Sequence, residues 1–141
     1  MAKARGRKQP SYSSLKTKLD KVFSEWVRRS NAFPAGDLAA GMVRCITCGI
    51  PHEWNRMQAG HFVSRVHLGT RWDERNVQPQ CFSCNVWRRG SPAEFSVFLT
   101  TKYGPDILKE LVNLKHQTYK FTRADLQEKI DSYKARLQAL G

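Results

Sequence analysis

The sequence predicts an α+β fold in which helices flank a small core that is held together by a metal ion. The first observation is a pair of Cys-x-x-Cys motifs, Cys45 to Cys48 and Cys81 to Cys84. The second is that apolar residues recur at helical spacing before and after this cysteine region, but not inside it. A region with so few periodic segments needs a staple, and a metal bound by the cysteines provides one.

The chain divides into a short arm and one domain. Residues 1–12 are expected to form a flexible basic arm, because four of the first ten residues are Lys or Arg and show no apolar period. A merely solvated tail explains them equally well. Residues 13–141 are expected to form a single domain, since 141 residues with 40% apolar content suit one modest core.

Helices are predicted at both ends of this domain. The N-terminal helix, residues 13–31, is indicated by Leu15, Leu19 and Phe23 at helical spacing. Residues 43–91 are expected to form the metal-bound core, with short strands around 60–66 and 72–77 and a helix that begins at the second cysteine pair. Further helices are predicted over residues 92–141, with a break at Gly104-Pro105.

The last predicted helix begins at Thr122, which lies three residues before Asp125 as in a capping box. Its apolar residues are spaced by alternating steps of four and three, as in a coiled-coil seam. They are Leu126, Ile130, Tyr133, Leu137 and Leu140. This seam could pack inside the domain or pair with a second subunit, and the sequence leaves both possibilities open.

The charge of the chain indicates a polyanionic partner. Lys and Arg total 24 against 12 Asp and Glu, which gives a formal charge of +12. At this size such an excess favours nucleic acid. No apolar stretch approaches the roughly 18 residues of a spanning helix, and we find no secretory signal, so we expect no membrane association and an intracellular protein.

The four cysteines predict a structural zinc site. Two Cys-x-x-Cys turns present four thiolates that can close on one ion in a tetrahedron: Cys45, Cys48, Cys81 and Cys84. Disulfides are the alternative, but close pairs of this kind suit metal binding in a reducing compartment. Because four protein ligands leave no open position, this zinc is not expected to activate water.

His61 is the candidate catalytic group. It follows Ala59-Gly60, whose small side chains would let a phosphate backbone approach, and it lies between the two cysteine pairs. A phosphodiester hydrolase needs a general base to deprotonate the attacking water, and histidine can supply it. A histidine with a structural hydrogen bond, or an alternate zinc ligand, is the competing interpretation.

The order of His61, Asn76 and Asn85 around the cysteines resembles the HNH, or ββα-metal (His-Me finger), nucleases. A closer resemblance is to the Rap/NinG recombination nucleases of lambdoid phages, and it covers most of the chain after about residue 13. It rests on these motifs: Cys45-Ile46-Thr47-Cys48-Gly49, Ala59-Gly60-His61-Phe62, Arg71-Trp72-Asp73-Glu74-Arg75-Asn76-Val77 and Gln80-Cys81-Phe82-Ser83-Cys84-Asn85.

The resemblance implies roles for individual residues. His61 would be the general base, Asn76 would fix the catalytic loop or the histidine, and Asn85 would offer its side-chain oxygen to Mg²⁺ or Mn²⁺. Many HNH enzymes carry an aspartate just before the histidine, where this chain has Gly60. Asp73 and Glu74 are then the nearest carboxylates for the metal, and Asp73 is preferred. The alternative is that these acids pair with neighbouring arginines.

Arginines and aromatic residues surround this region in the sequence. Guanidinium groups grip phosphate oxygens, so five arginines are candidate DNA contacts: Arg65, Arg71, Arg75, Arg88 and Arg89. Four aromatic residues lie among them and could stack on an unpaired base, although core packing is the expected role for most: Trp54, Trp72, Phe82 and Trp87.

The resemblance implies a metal-dependent endonuclease that cuts branched recombination intermediates such as Holliday junctions and D-loops. Cutting two strands symmetrically requires two sites, so a homodimer on branched DNA is expected, with the first or the last helix as its interface. The protein would come from a phage or prophage and act in the bacterial cytoplasm. A non-catalytic zinc-dependent DNA-binding module and an HNH nickase of ordinary duplex are the alternatives.

Overall fold

The computed structural model describes residue 6 and residues 8–141; residues 1–5 and 7 of the expected basic arm lie outside this part of the chain. Among the described helices, none is both long and apolar enough to cross a membrane. The main elements are α1 (Tyr12–Ser30), β1 (Met42–Arg44), β2 (Pro51–Glu53), β3 (Gln58–His61), α2 (Leu68–Arg71), β4 (Val77–Gln80), α3 (Pro92–Tyr103), α4 (Ile107–His116) and α5 (Arg123–Leu140). A short π-helical segment, Ser83–Trp87, begins within the second cysteine pair and contains Cys84, and we call it the knuckle helix.

Helices α1 and α5 pack against each other and form the largest part of the core. Ser11 caps α1 by accepting a hydrogen bond from the Ser14 backbone N–H at 3.1 Å. Thr122 and Asp125 form the predicted capping box of α5. The buried residues of the two helices belong to one apolar cluster, which includes Leu15, Leu19, Phe23, Leu126, Ile130, Tyr133 and Leu137.

The coiled-coil-like seam of α5 is therefore packed inside the domain. Leu137 keeps only 8% of its surface exposed, and Leu126 keeps none. The apolar faces of α1 and α5 cover each other, which is the first of the two possibilities that the sequence left open for this seam.

Two small antiparallel sheets form the middle of the chain. Strand β1 pairs with β2, and β3 pairs with β4 so that His61 lies opposite Val77. The predicted strand positions, 60–66 and 72–77, were wrong by several residues. His61 ends its strand and Val77 begins the next, because both backbone groups of Val63 bond to the Asn76 side chain rather than to a neighbouring strand.

The cysteine region has little apolar core of its own. Its buried cluster contains only Val43 and Met57 besides three of the four cysteines, among the residues that the structure describes. A third cluster joins Val63 of the loop to α3 and α4 through Phe95, Leu99, Ile107 and Leu111. The loop after β3 is thus anchored by packing, whereas the cysteine region depends on what the thiols bind.

Candidate active site and metal centre

The four cysteines come together as predicted. Their Sγ atoms all lie within 4.8 Å of one another, and the Sγ atoms of Cys48 and Cys81 are 3.8 Å apart. A tetrahedron with Zn–S bonds of about 2.3 Å has S···S edges of about 3.8 Å, so the spacing fits zinc. The donors are four thiols with no open position, which is the composition of a structural site.

Local hydrogen bonds prepare one thiol of this centre to bind metal. Burial opposes ionisation of Cys45, but the Thr47 hydroxyl at 3.3 Å and nearby backbone groups lower its pKa to about 6. Burial and the neighbouring thiols raise the pKa of Cys81. Thiols are metal ligands only when deprotonated, so metal binding must release protons from this cluster.

A separate cavity brings His61 and Asn85 together. It has a volume of about 460 Å³ and is lined by residues from β3, from the knuckle helix and from α1. His61 is the last residue of β3, and Asn85 lies in the middle of the knuckle helix. Arg65 and Arg89 line the same cavity.

The hydrogen bond of His61 defines its proton-accepting atom. Its Nε2 lies 2.9 Å from the backbone carbonyl oxygen of Arg71. A carbonyl can only accept, so Nε2 carries the proton and Nδ1 keeps a lone pair. Burial lowers the pKa of His61, against the raising effects of the Arg71 carbonyl and the Asp20 charge. The imidazole is therefore neutral at pH 7 and can act as a base.

Asp20 is a residue of this cavity that the sequence analysis missed. From α1 it accepts hydrogen bonds from Arg71 Nε at 3.0 Å and from Trp72 Nε1 at 2.9 Å. Asp20 thereby holds Arg71 and Trp72 in place, and the Arg71 backbone carbonyl accepts the hydrogen bond from His61. Among the described residues that line the cavity, Asp20 is the one carboxylate. The available signal was an acid directly beside Leu19 on a helix otherwise rich in Lys and Arg.

Asn76 fastens the loop between β3 and β4. It is fully buried, its Oδ1 accepts from the Val63 N–H at 2.7 Å, and its Nδ2 donates to the carbonyls of Val63 and Thr70 at 3.0 Å. Every one of these bonds goes to the loop and none to His61. Of the two roles expected for Asn76, the geometry fits the fixing of the loop.

Asn85 is oriented by a neighbouring amide. Its Nδ2 donates to Gln58 Oε1 at 2.6 Å. This bond uses the nitrogen, so the side-chain oxygen is the atom available as a ligand inside the cavity. Carbonyl and carboxylate oxygens are the donors that Mg²⁺ and Mn²⁺ prefer, and Mg²⁺ is commonly bound through one or two carboxylates together with substrate phosphate. Asn85 offers a neutral amide oxygen, so the phosphate would supply the negative charge.

Asp73 does not lie with His61 and Asn85, contrary to its expected role as a metal ligand. Its Oδ2 lies 2.9 Å from Arg75 Nη2, and Arg75 also bonds Glu110 at 2.7 Å. Glu74 accepts from Trp26 and Arg136. The pairing of these acids with arginines, which the sequence left open, is what the structure contains.

The five candidate arginines therefore separate into two groups. Arg65 and Arg89 line the cavity, and Arg88 lies beside a second cleft next to the cysteines. Arg71 is bonded to Asp20, and Arg75 is bonded to Asp73 and Glu110. These ion pairs make Arg71 and Arg75 structural in the free protein.

The surroundings of Gly60 leave no room for a side chain at this position. A Cβ at this position would lie 1.9 Å from Gln80 Oε1. Gln80 is fully buried and bonds the Gly90 carbonyl at 2.9 Å, which holds the turn that carries Arg89. Arg89 itself has a φ of 51°, a left-handed conformation. An aspartate before His61 would displace Gln80 and loosen this turn.

A family model described as Bacteriophage Lambda NinG protein matches residues 1–141. The chain belongs to the NinG family. Curated relatives include the protein ninG of Escherichia phage 933W and of Salmonella phage P22, each 27% identical over 99 residues, or 68% of this chain and 47% of the relative. The protein ninG of Escherichia phage lambda is 27% identical over 96 residues, or 61% of this chain and 45% of the relative. The chain thus spans about half the length of these relatives, and no solved structure matches it.

The aromatic residues of this NinG-family chain have two different environments. Trp72 is buried in the main cluster, and Trp54 packs on the cysteine cluster, as core packing predicts. Phe82 and Trp87 are 49% and 77% exposed, so core packing does not account for these two rings. Both side chains lie beside the cysteines and remain open to solvent.

Proposed function

We propose that this chain is a metal-dependent endonuclease that hydrolyses phosphodiester bonds in branched DNA, such as Holliday junctions and D-loops. One observation carries the proposal. A neutral His61, fixed by the Arg71 carbonyl with Nδ1 as proton acceptor, lines the same cavity as Asn85. A zinc-dependent module that only binds DNA has no need for this pairing of a base with an oxygen ligand.

The residues of the cavity suit hydrolysis of a phosphodiester. His61 Nδ1 removes a proton from the water whose oxygen attacks phosphorus, and the bond from phosphorus to one sugar oxygen breaks. The Arg71 carbonyl stabilises the imidazolium that results, since it accepts from Nε2. Arg65 and Arg89 hold phosphate oxygens beside the reacting bond. Mg²⁺ or Mn²⁺, held by Asn85, would supply charge stabilisation at the phosphate and the leaving oxygen.

The order of elements supports the HNH interpretation. Strand β3 ends at His61, pairs antiparallel with β4, and is followed by the knuckle helix with Asn85. That sequence of strand, strand and helix is the one implied by the resemblance to ββα-metal nucleases. The formal charge of +12 supports a nucleic-acid substrate.

The preference for branched DNA rests on the resemblance to the lambdoid phage recombination nucleases. Symmetric cutting of a junction would need two copies of the cavity, so we propose that two chains act together on one junction. Because α1 and α5 cover each other, this pairing would use a surface outside these two seams.

The test uses an end-labelled synthetic four-way junction and a linear duplex of matched sequence, each incubated with the zinc-loaded chain and Mg²⁺ or Mn²⁺. We expect cutting of the junction that depends on the added cation, with the duplex cut at least about tenfold more slowly. Equal cutting of both DNAs would favour a general nickase. Binding of DNA without any cutting would leave only a zinc-dependent binding module.

Asp20 provides a second test, as a positioning residue. In Asp20→Asn the carboxylate charge that holds Arg71 is lost. The Arg71 backbone carbonyl, which accepts the hydrogen bond from His61, then becomes less well fixed. We expect kcat for junction cleavage to fall about tenfold with KM little changed. The Asp20 charge raises the pKa of His61, so the acid limb of the rate profile should also move to lower pH. A lower kcat with an unmoved profile would indicate a purely structural role.

A further inference from the structure

A second cleft, with other residues of the knuckle helix in its walls, lies beside the metal centre. It has a volume of about 520 Å³, and its walls include Phe82, Trp87 and Ile50. The rings of Phe82 and Trp87 meet edge to face with centroids 6.4 Å apart, and Trp87 is 77% exposed. Two large rings held in contact with each other yet open to solvent form a surface that a flat apolar group could cover.

Two arginines at this cleft are positioned to hold phosphate groups. Arg56 and Arg88 lie on its walls, and no Asp or Glu is among the described residues that line it. Cys48, Cys81 and Cys84 of the metal centre also line it, so the two arginines offset the negative charge of the thiolates. Arg56 has a side chain that is 78% exposed, and its contact with Glu53 is long at 3.9 Å. Cations beside exposed aromatic rings are the combination that binds single-stranded nucleic acid, since arginines hold the phosphates and rings stack on the bases.

The knuckle helix connects this cleft to the cavity of the proposed function. Asn85 lines the cavity and Trp87 lines the cleft, although they are only two residues apart. Arg88 and Arg89 divide in the same way between the two sides. A helix with its side chains is about 10–12 Å across, so a strand whose phosphate lies at Asn85 has neighbouring nucleotides within reach of Trp87.

We infer that Phe82 and Trp87 form a stacking platform for an unpaired nucleobase next to the phosphate that is cut. The inference rests on the proposed function and adds the feature of the substrate that is recognised. In a continuous duplex every base is stacked between its neighbours and cannot reach the platform. At a branch point a base can leave the stack at low cost, so the platform selects branched over linear DNA.

The test measures binding by the zinc-loaded chain carrying His61→Ala, which keeps the DNA intact. Fluorescence anisotropy gives the affinity for a four-way junction and for a matched duplex, with and without Trp87→Ala. We expect Trp87→Ala to weaken junction binding about tenfold and duplex binding by less than about twofold. Trp87→Phe keeps a ring and should retain most of the junction preference.

Tyr119→Ala provides the matched control, because Tyr119 is also an exposed aromatic residue, at 43%, but lies away from this cleft. It should leave both affinities unchanged. 2-Aminopurine placed at the branch point should be quenched on binding when Trp87 is present and much less in Trp87→Ala. Circular dichroism and zinc content confirm that each variant is folded.

The outcomes separate this inference from the proposed function. Equal junction binding with and without Trp87, an equal loss for junction and duplex, or no binding to either DNA would overturn the platform. The first result would leave the cleft as a candidate surface for a protein partner. A Trp87-dependent junction preference in a chain that never cuts DNA would instead keep the platform and remove the endonuclease.

Discussion

Replacing His61 by alanine should lower the rate of junction cleavage by about a thousandfold and leave junction binding nearly unchanged. General bases contribute about 10²–10⁴ to such rates, and the other groups of the cavity remain in place. Single-turnover cleavage with saturating protein measures the chemical step, and anisotropy measures binding in parallel. A large fall in rate with constant affinity identifies a group that acts in the transition state.

The pH dependence of the native chain gives an independent check on the same residue. The base must be neutral, so the rate should rise with pH and level off once His61 has lost its proton. Burial lowers the pKa of His61 below its ordinary value of 6.5, so the inflection should lie below that pH. An inflection above it would mean that an imidazole held by the Arg71 carbonyl is not the titrating base.

His116→Ala is the matched control for this substitution, since His116 is exposed at the end of α4 and lies far along the chain from the site. It should cut the junction at the native rate. If His61→Ala kept more than about a tenth of the native rate, the histidine would have only a structural role and the proton acceptor would have to be another group.

The sequence was sufficient to predict those features that depend on residues near one another in the chain. The 3.6-residue period of Leu15, Leu19 and Phe23 predicted α1, and the capping box at Thr122 predicted α5. The spacing of the cysteine pairs predicted their convergence, because each Cys-x-x-Cys turn fixes two ligands locally.

The features that were missed depend on contacts between distant residues. Asp20 meets Arg71 across 51 positions of sequence, so no local pattern could assign it to the site. The strands were misplaced because Asn76 satisfies the backbone of the loop, which an apolar pattern does not reveal. Core packing was expected for most of the aromatic residues, but the sequence could not show which ones, and the packing around the cysteines leaves Phe82 and Trp87 exposed.

Removal of the metal should have the largest effect on stability. Binding of structural zinc has an apparent free energy of about 10–16 kcal/mol in small zinc domains, whereas a whole domain is stable by only about 5–15 kcal/mol. The cysteine cluster buries just Val43 and Met57 besides its thiols, among the described residues, so little else holds it. We therefore expect Cys84→Ser, or a strong chelator, to unfold this region.

Elemental analysis and circular dichroism measure this effect. The native chain should hold one zinc per molecule. Cys84→Ser should lose it, and the Tm of the cysteine region should fall by roughly 20 °C or more. Ser83→Ala changes the exposed neighbour and should retain both. Cobalt in place of zinc should give the thiolate-to-metal absorption of a tetrahedral four-cysteine site. A native Tm in a chain that binds no metal would show that the thiols merely pack together.

Loss of the metal should unfold the cysteine region and leave the rest of the domain folded. This result would distinguish local stabilisation by zinc from a general loss of stability. The cluster between α1 and α5 contains no cysteine, so its helical signal should persist when the metal is removed. Trp54 packs on the cysteine cluster, and its fluorescence should shift as that region opens. Asn85 follows Cys84 directly, so loss of the metal should abolish cleavage even with excess Mg²⁺. Zinc would then support the reaction only by holding Asn85 opposite His61, since its four thiolate ligands leave no position for water.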